Sequence, residues 1–132
     1  MEPDEEKALS KASNRAEVVF QGVTMAFGNR TVLNNMSCRF PPGKITVISG
    51  GNGMGKSTTL RIIGGLIYPS SGTVLVGGQN VGGLNAKGWR AVRSNIGMMF
   101  QRGALLDSTT VFDNIAFPLR EHTDLNSEEA TA

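Results

Sequence analysis

The chain has a single cysteine among its 132 residues, so it cannot close a disulfide within itself, and a reducing compartment suits it. No apolar run approaches the roughly 20 residues that a helix needs to cross a bilayer. Nor does a charged-then-apolar leader open the chain. Membrane contact is therefore expected only through a partner, with the protein itself in the cytoplasm. Net charge is scarce as well: +2 at neutral pH, without a basic run or interleaved aromatics, which argues against a nucleic-acid partner. Internal repeats are absent. What remains is 39% apolar and 18% charged, the balance of a globular chain rather than a disordered one. Its length allows at most one domain.

Residues 1–16, "MEPDEEKALSKASNRA", are polar with an acidic start and read as a solvated or partly helical tail. The character changes at Glu17. "EVVFQGVTMAF" is rich in β-branched and aromatic residues and predicts a strand, "GNR" a turn, and "TVLNNMSCRF" a partner strand. In that second strand Met36, Cys38 and Phe40 fall on one face and Ser37 and Arg39 on the other. This makes Cys38 a small core residue rather than a nucleophile. "PPG" breaks the pairing. "KITVIS" then reads as a strand covered on both faces, as in a parallel sheet. "KSTTLRIIGGLI" predicts a helix with Leu60, Ile63 and Ile67 on its apolar face, broadened by Ile62 and Leu66. Gly64 and Gly65 weaken that helix and point to close packing on a neighbour. Beyond "YPSSG" come a short strand, "GTVLVGG", and a turn with a helix in "GLNAKGWRAVRSN". An apolar strand, "IGMMF", leads into Gln101, and a helix follows in "VFDNIAFPLREH", interrupted near Pro118. "TDLNSEEATA" reads as the start of a further helix.

Between "KITVIS" and the helix lies "SGGNGMGKSTTL". Gly50, Gly55, Lys56 and Ser57 fit G-x-x-x-x-G-K-[ST], the Walker A pattern. Glycines let the backbone curl until successive N–H groups point inward and form a concave anion site. A helix starting near Lys56 adds its positive dipole end and its unpaired N–H groups. Lys56 is expected to reach the β- and γ-phosphates as a point charge. Ser57 is expected to place its hydroxyl on Mg²⁺, and Thr58 to bond a phosphate oxygen nearby. With 17 glycines in the chain a chance match is the alternative, but a strand before the loop and a helix after it are the context the pattern requires. The pattern alone does not separate kinases, GTPases, motors and transporters.

An antiparallel strand pair before the loop, Gly53 within it and a glutamine closing a later strand make the chain resemble the ATP-binding subunit of ABC transporters. "GGNGMGKST" is similar to that family's G-x-[SN]-G-x-G-K-[ST]-T, which adds Asn52 and Gly53 to the phosphate-binding set of Gly50, Gly55, Lys56, Ser57 and Thr58. The resemblance implies that Gln101, in "MMFQ", is the Q-loop glutamine, which contacts Mg²⁺ and the attacking water and senses the membrane subunit. It places Phe27, in "MAFGNR", where the family usually carries an aromatic that stacks on adenine, often Tyr. A strand-end core residue is the alternative for Phe27, and both readings stay open. After the glutamine, "FQRGALLDSTTVFDNIAFPLREHT", together with "GNR", "GKIT" and "LRIIGGLI", resembles the Mla-type branch of the family. Those ATPases power a bacterial phospholipid carrier whose partners are a permease and a lipid-binding Mce-type protein.

The resemblance runs from residue 17 to about residue 125. It implies an α/β fold, a P-loop NTPase of the ABC ATPase type, with an N-terminal antiparallel β region plus part of the parallel core sheet. Residues 17–132 would then be the N-terminal part of a nucleotide-binding domain, behind the 1–16 tail. ATP and Mg²⁺ are the implied cofactors. A membrane permease subunit and a second ATPase subunit are the implied partners, at the inner face of the cell membrane. Leu105, Leu106, Phe112 and Phe117 fall where the family meets a cytoplasmic helix of the permease. Packing within the chain's own helical lobe is the alternative for at least half of them.

"LVGGQ", Leu75 to Gln79, has the outline of the family's LSGGQ signature but lacks the serine and sits at a strand end, so Gly77 and Gly78 are expected to form a turn. His122, the only histidine, is expected to be solvated rather than the family's switch histidine. After Gln101 no four-residue apolar strand ends in Asp-Glu, so Walker B, the catalytic glutamate, the signature and the switch histidine are not among these residues. The expectation is the first half of an ABC ATPase domain, incomplete, binding Mg–ATP but hydrolysing it negligibly alone. Without the strands that flank it in the family, "KITVIS" would expose an apolar edge, and marginal stability is expected. Two other classes compete. A stand-alone kinase or GTPase would need acceptor-binding residues or an Asn-Lys-x-Asp, and neither occurs. A non-catalytic nucleotide-binding or interaction module is satisfied by the same residues.

Overall fold

The computed structural model describes residues 17–101, 103 and 105–123. The tail expected over residues 1–16, the helix start expected beyond Thr123 and the side chain of His122 lie outside the described residues. The chain divides into two compact units, one ending at Ile96 and the other beginning at Gly97.

In the first unit a four-stranded antiparallel sheet has the order β2-β1-β3-β4, with β1 Val18–Phe27, β2 Arg30–Phe40, β3 Ser71–Val76 and β4 Gln79–Asn80. β1 buries Val18 and Phe20, then Val23 and Met25. That change of phase by one residue would turn a regular strand over. Irregular register between Phe20 and Val23 absorbs it, and the Gly22 N–H leaves the ladder to bond Ser37 Oγ at 2.9 Å. The expected alternation of β2 holds. Met36, Cys38 and Phe40 pack half-buried against the core, while Ser37 and Arg39 face solvent. Burial pushes the Cys38 thiol above its ordinary pKa, as suits a packing residue rather than a nucleophile. Phe40 meets Phe20 edge to face, ring centroids 5.8 Å apart.

Two helices cover this sheet's core, α1 Lys56–Ile63 and α2 Ala86–Arg93, contributing Ile62, Trp89 and Val92 beside Phe20, Val23 and Val74. The buried residues of α1 are Thr59 and Ile62, whereas Leu60, expected on the apolar face, is 50% exposed. Two causes explain the rotation. The helix ends at Ile63, so Ile67 lies past it. Thr59 can be buried because its hydroxyl donates to the Gly55 carbonyl at 2.9 Å. The close packing expected at the glycine pair is realised at Gly65, where a Cβ would lie 2.2 Å from Cζ3 of Trp89. Arg93 closes the junction. Its guanidinium donates to the Gly65 carbonyl at 2.6 Å and lies 5.2 Å over the Trp89 ring.

Residues 44–49 and 96–100, expected as strands, join no ladder among the described residues. Ile45 is 97% exposed and Met99 94%. The physical reason is that a strand exists through its neighbours' hydrogen bonds, and an apolar run written for two covered faces does not supply them. The antiparallel part of the expected fold is therefore formed, and the parallel part is not formed by the described residues.

The second unit contains α3, Val111–His122. Thr110 caps it, accepting from the Asp113 N–H at 3.1 Å and donating to Asp113 Oδ2 at 2.6 Å. Asn114 reaches back to the preceding loop, accepting from the Leu106 N–H at 2.7 Å and donating to Thr109 Oγ1 at 2.9 Å. The interruption expected at Pro118 does not occur; the helix runs through it. Proline removes one N–H donor there, and the Arg120–Asp113 ion pair, at 3.0 Å, ties the turns on either side together. Leu105, Leu106, Phe112 and Phe117 are all exposed, and among the described side chains of α3 only Ala116 is buried.

Candidate functional site

Gly55 is the joint between loop and helix. It is buried, adopts the left-handed conformation at φ 89°, and a Cβ there would lie 2.6 Å from Leu33 Cδ2 and 3.2 Å from the Val32 carbonyl. β2 running beneath it thus demands glycine sterically, on top of the backbone's own demand. The chain then enters α1 with no side-chain cap and no acidic residue in the first turn. The first intrahelical bond from the turn is Thr59 N–H to the Gly55 carbonyl at 2.8 Å. The N–H groups of Lys56, Ser57 and Thr58 precede it and have no intrahelical acceptor, at the end where the helix dipole is positive.

Lys56 folds back over this end. Its Nζ donates to the carbonyls of Gly50 at 2.7 Å and Gly51 at 2.6 Å, closing the loop across residues 50–56. An ammonium has three donors, and these bonds use two. Asn52, Gly53 and Ser57 are exposed on the same loop and first turn, and Thr58 is half-buried. The loop and first turn thus present N–H groups, the Ser57 hydroxyl and the Lys56 ammonium close together along the chain. Their chemistry suits an anion with several oxygens.

A second cation lies against the loop. Arg30 Nη2 donates to the Gly53 carbonyl at 3.4 Å. Phe27, 49% exposed, is the partner directly opposite Arg30 across the β1–β2 turn. The structure therefore brings Gly50, Asn52, Gly53, Gly55, Lys56, Ser57 and Thr58 together, with the Phe27 turn tied to them through Arg30. Gln101 belongs to the second unit, where it is exposed in a turn that the Gly103 N–H closes on the Phe100 carbonyl at 3.0 Å. Gly77 and Gly78 form the β3–β4 turn, so "LVGGQ" is a hairpin.

Sequence reasoning missed Arg30 and Thr59. Nothing local marks Arg30, whose contact spans 23 residues. Thr59 did carry a signal: it stands three residues before Ile62, on the face that α1 buries.

A family model described as ABC transporter matches residues 33–132. The chain is 45% identical over 108 residues to the intermembrane phospholipid transport system ATP-binding protein MlaF of Escherichia coli K12, covering 82% of this chain and 40% of that protein. With MlaF of Haemophilus influenzae it shares 40% identity over 112 residues, 85% of this chain and 42% of the other. The methionine import ATP-binding protein MetN of Rhizobium meliloti is 46% identical over 116 residues, 83% of this chain and 32% of the other. Among solved structures, the dimeric bacterial ABC transporter cassette MJ0796 is similar at TM-score 0.78 and 28% identity, over 86% of this chain and 52% of that one. The same cassette bound to ADP and Pi after hydrolysis gives a TM-score of 0.77 at 29% identity, again over 86% and 52%. The chain spans about two fifths of the length of these MlaF proteins and about half of the MJ0796 cassette.

Proposed function

The chain belongs to the ABC transporter family, and from that premise we propose that it is the phosphate-binding part of an ATP-binding, energy-coupling subunit that serves bacterial phospholipid transport. One observation carries the nucleotide reading. The N-terminus of α1 has neither a side-chain cap nor an acidic residue, and Lys56 is folded over it.

In this reading the N–H groups of Lys56, Ser57 and Thr58 hold phosphate oxygens, with Gly50, Asn52, Gly53 and Gly55 shaping the loop around them. Lys56 Nζ exchanges its carbonyl partners for the β- and γ-phosphates. Ser57 supplies a hydroxyl to Mg²⁺. Mg²⁺ is commonly held by few protein groups together with the substrate's phosphates, and we assign its entry to the nucleotide. When bound, Mg–ATP supplies the phosphoryl group whose transfer to water drives transport in the intact protein. Phe27 offers a π-face to the adenine, and Gln101 is assigned to Mg²⁺ and the attacking water. A second ATPase subunit and a membrane permease complete the assembly. The dimeric MJ0796 cassette supports the former. No helix of the described residues is long and apolar enough to cross a membrane, and we assign attachment at the inner face to the permease.

The MlaF relatives support the lipid cargo, while the MetN relative favours a second reading, amino-acid import. Supplying the whole gene to bacteria lacking MlaF or lacking MetN separates the two by which defect it repairs. The nucleotide reading is tested by titrating the chain and Lys56→Ala with Mg–ATP. Losing a charge-assisted contact should weaken binding about ten- to hundredfold. Equal affinity in the two proteins would refute it.

A further inference from the structure

Arg30 lies outside the Walker A pattern, and although it ends the "GNR" stretch that shares in the family resemblance, that resemblance gives it no role; yet its guanidinium lies on the phosphate loop. Nη2 is 3.4 Å from the Gly53 carbonyl, and a Cβ on Gly53 would stand only 2.8 Å from it. The missing side chain at Gly53 is what admits the guanidinium. On its other side Arg30 is fixed by the strand register, directly opposite Phe27. Among the described residues this is the side-chain hydrogen bond joining the turn that carries Phe27 to the loop that carries Lys56.

A nucleotide gains from both of its ends only when base platform and phosphate cradle are held at the spacing the ligand imposes. Arginine suits that task better than lysine, because its planar fork loses less freedom for each hydrogen bond it makes. We propose that Arg30 is a positioning residue for the nucleotide. By holding the Gly53 carbonyl it sets the spacing between Phe27 and the phosphate loop, so that base and phosphates bind as one unit. This rests on the nucleotide reading above and deepens it. The role belongs to geometry rather than to net charge, and the two make different predictions. A spacing role matters only for ligands that have both ends. A point-charge role matters equally for phosphates alone and is restored by lysine.

The test is calorimetric titration of the full chain with Mg–ATP and with Mg–tripolyphosphate, which has no base. Arg30→Ala should bind ATP about three- to tenfold more weakly and tripolyphosphate within about twofold of wild type. Arg30→Lys should remain as weak for ATP as Arg30→Ala. Arg30→Ala combined with Phe27→Ala should be no weaker than Phe27→Ala alone, the non-additivity of residues acting as a unit. Arg30 is exposed, so the unfolding temperature should not move; if Arg30→Ala does unfold the chain, Arg30→Gln carries the same expectations. Unchanged ATP affinity overturns the proposal. So does a parallel fall for both ligands that lysine reverses. Lys56→Ala binding like wild type would overturn the nucleotide reading itself, whereas a weak Lys56→Ala beside an intact Arg30→Ala overturns only the role of Arg30.

Discussion

Helices α1 and α3 begin in opposite ways. At α3 the first turn is satisfied from within: Thr110 accepts from the Asp113 N–H, and Asp113 places a carboxylate at the positive end of the helix. At α1 nothing of the kind is present, and the residue at that position is a glycine. The difference follows from where each helix obtains its stability. α3 buries only Ala116 among its described side chains, so caps and the Arg120–Asp113 pair matter to it. α1 is held from its buried face and its far end, by Thr59, Ile62 and the Gly65–Trp89–Arg93 junction. Its first-turn N–H groups are thereby left without an intrahelical acceptor or a side-chain cap.

The comparison can be broken hardest at Gly55. Replacing it with Ala drives a Cβ to 2.6 Å from Leu33 and forces a side chain into left-handed backbone. The first unit should lose about 2–4 kcal/mol of stability, measured by denaturant unfolding, together with ATP binding. Removing the cap of α3 by Thr110→Ala should cost about 1 kcal/mol, read as faster amide exchange in residues 113–117. Mg–ATP affinity should stay unchanged, because that cap serves the helix alone.

Acid should produce the smallest effect. The Thr110 hydroxyl first, and then Arg120, hold the Asp113 carboxyl below the ordinary carboxylate value of 3.8. A carboxyl depressed in the folded state contributes stability that is fully present above its unfolded pKa and lost as pH falls through its folded one. Amide protection in α3 should therefore be flat down to about the ordinary value and fall at more acid pH. Asp113→Asn should abolish that acid-dependent step.

The elements legible in the sequence are those governed by local chemistry. The β1–β2 hairpin, the Gly77–Gly78 turn, the start of α1 at Lys56 and the helix over Ala86–Arg93 each follow from turn residues, capping or periodicity within a short window. Residues 44–49 mark the boundary of that kind of knowledge. Their apolar run states that Ile45 and Val47 require covering, but it carries no information about which segment covers them. The face of α1 was misjudged for a related reason: Thr59 is polar by composition and apolar in effect once its hydroxyl bonds the Gly55 carbonyl. In the site, the Walker A residues were legible as a pattern. Arg30 was not, because only the folded hairpin brings it to Gly53.

The contrast between the helix ends is tested most directly by following backbone amide resonances as Mg–ATP is added. Large shifts are expected for the N–H groups of Lys56, Ser57 and Thr58. None are expected for Gly88 and Asp113, whose N–H groups are already taken by Asn85 and Thr110. Shifts that spare residues 56–58, or that appear equally at all three helix ends, would contradict it.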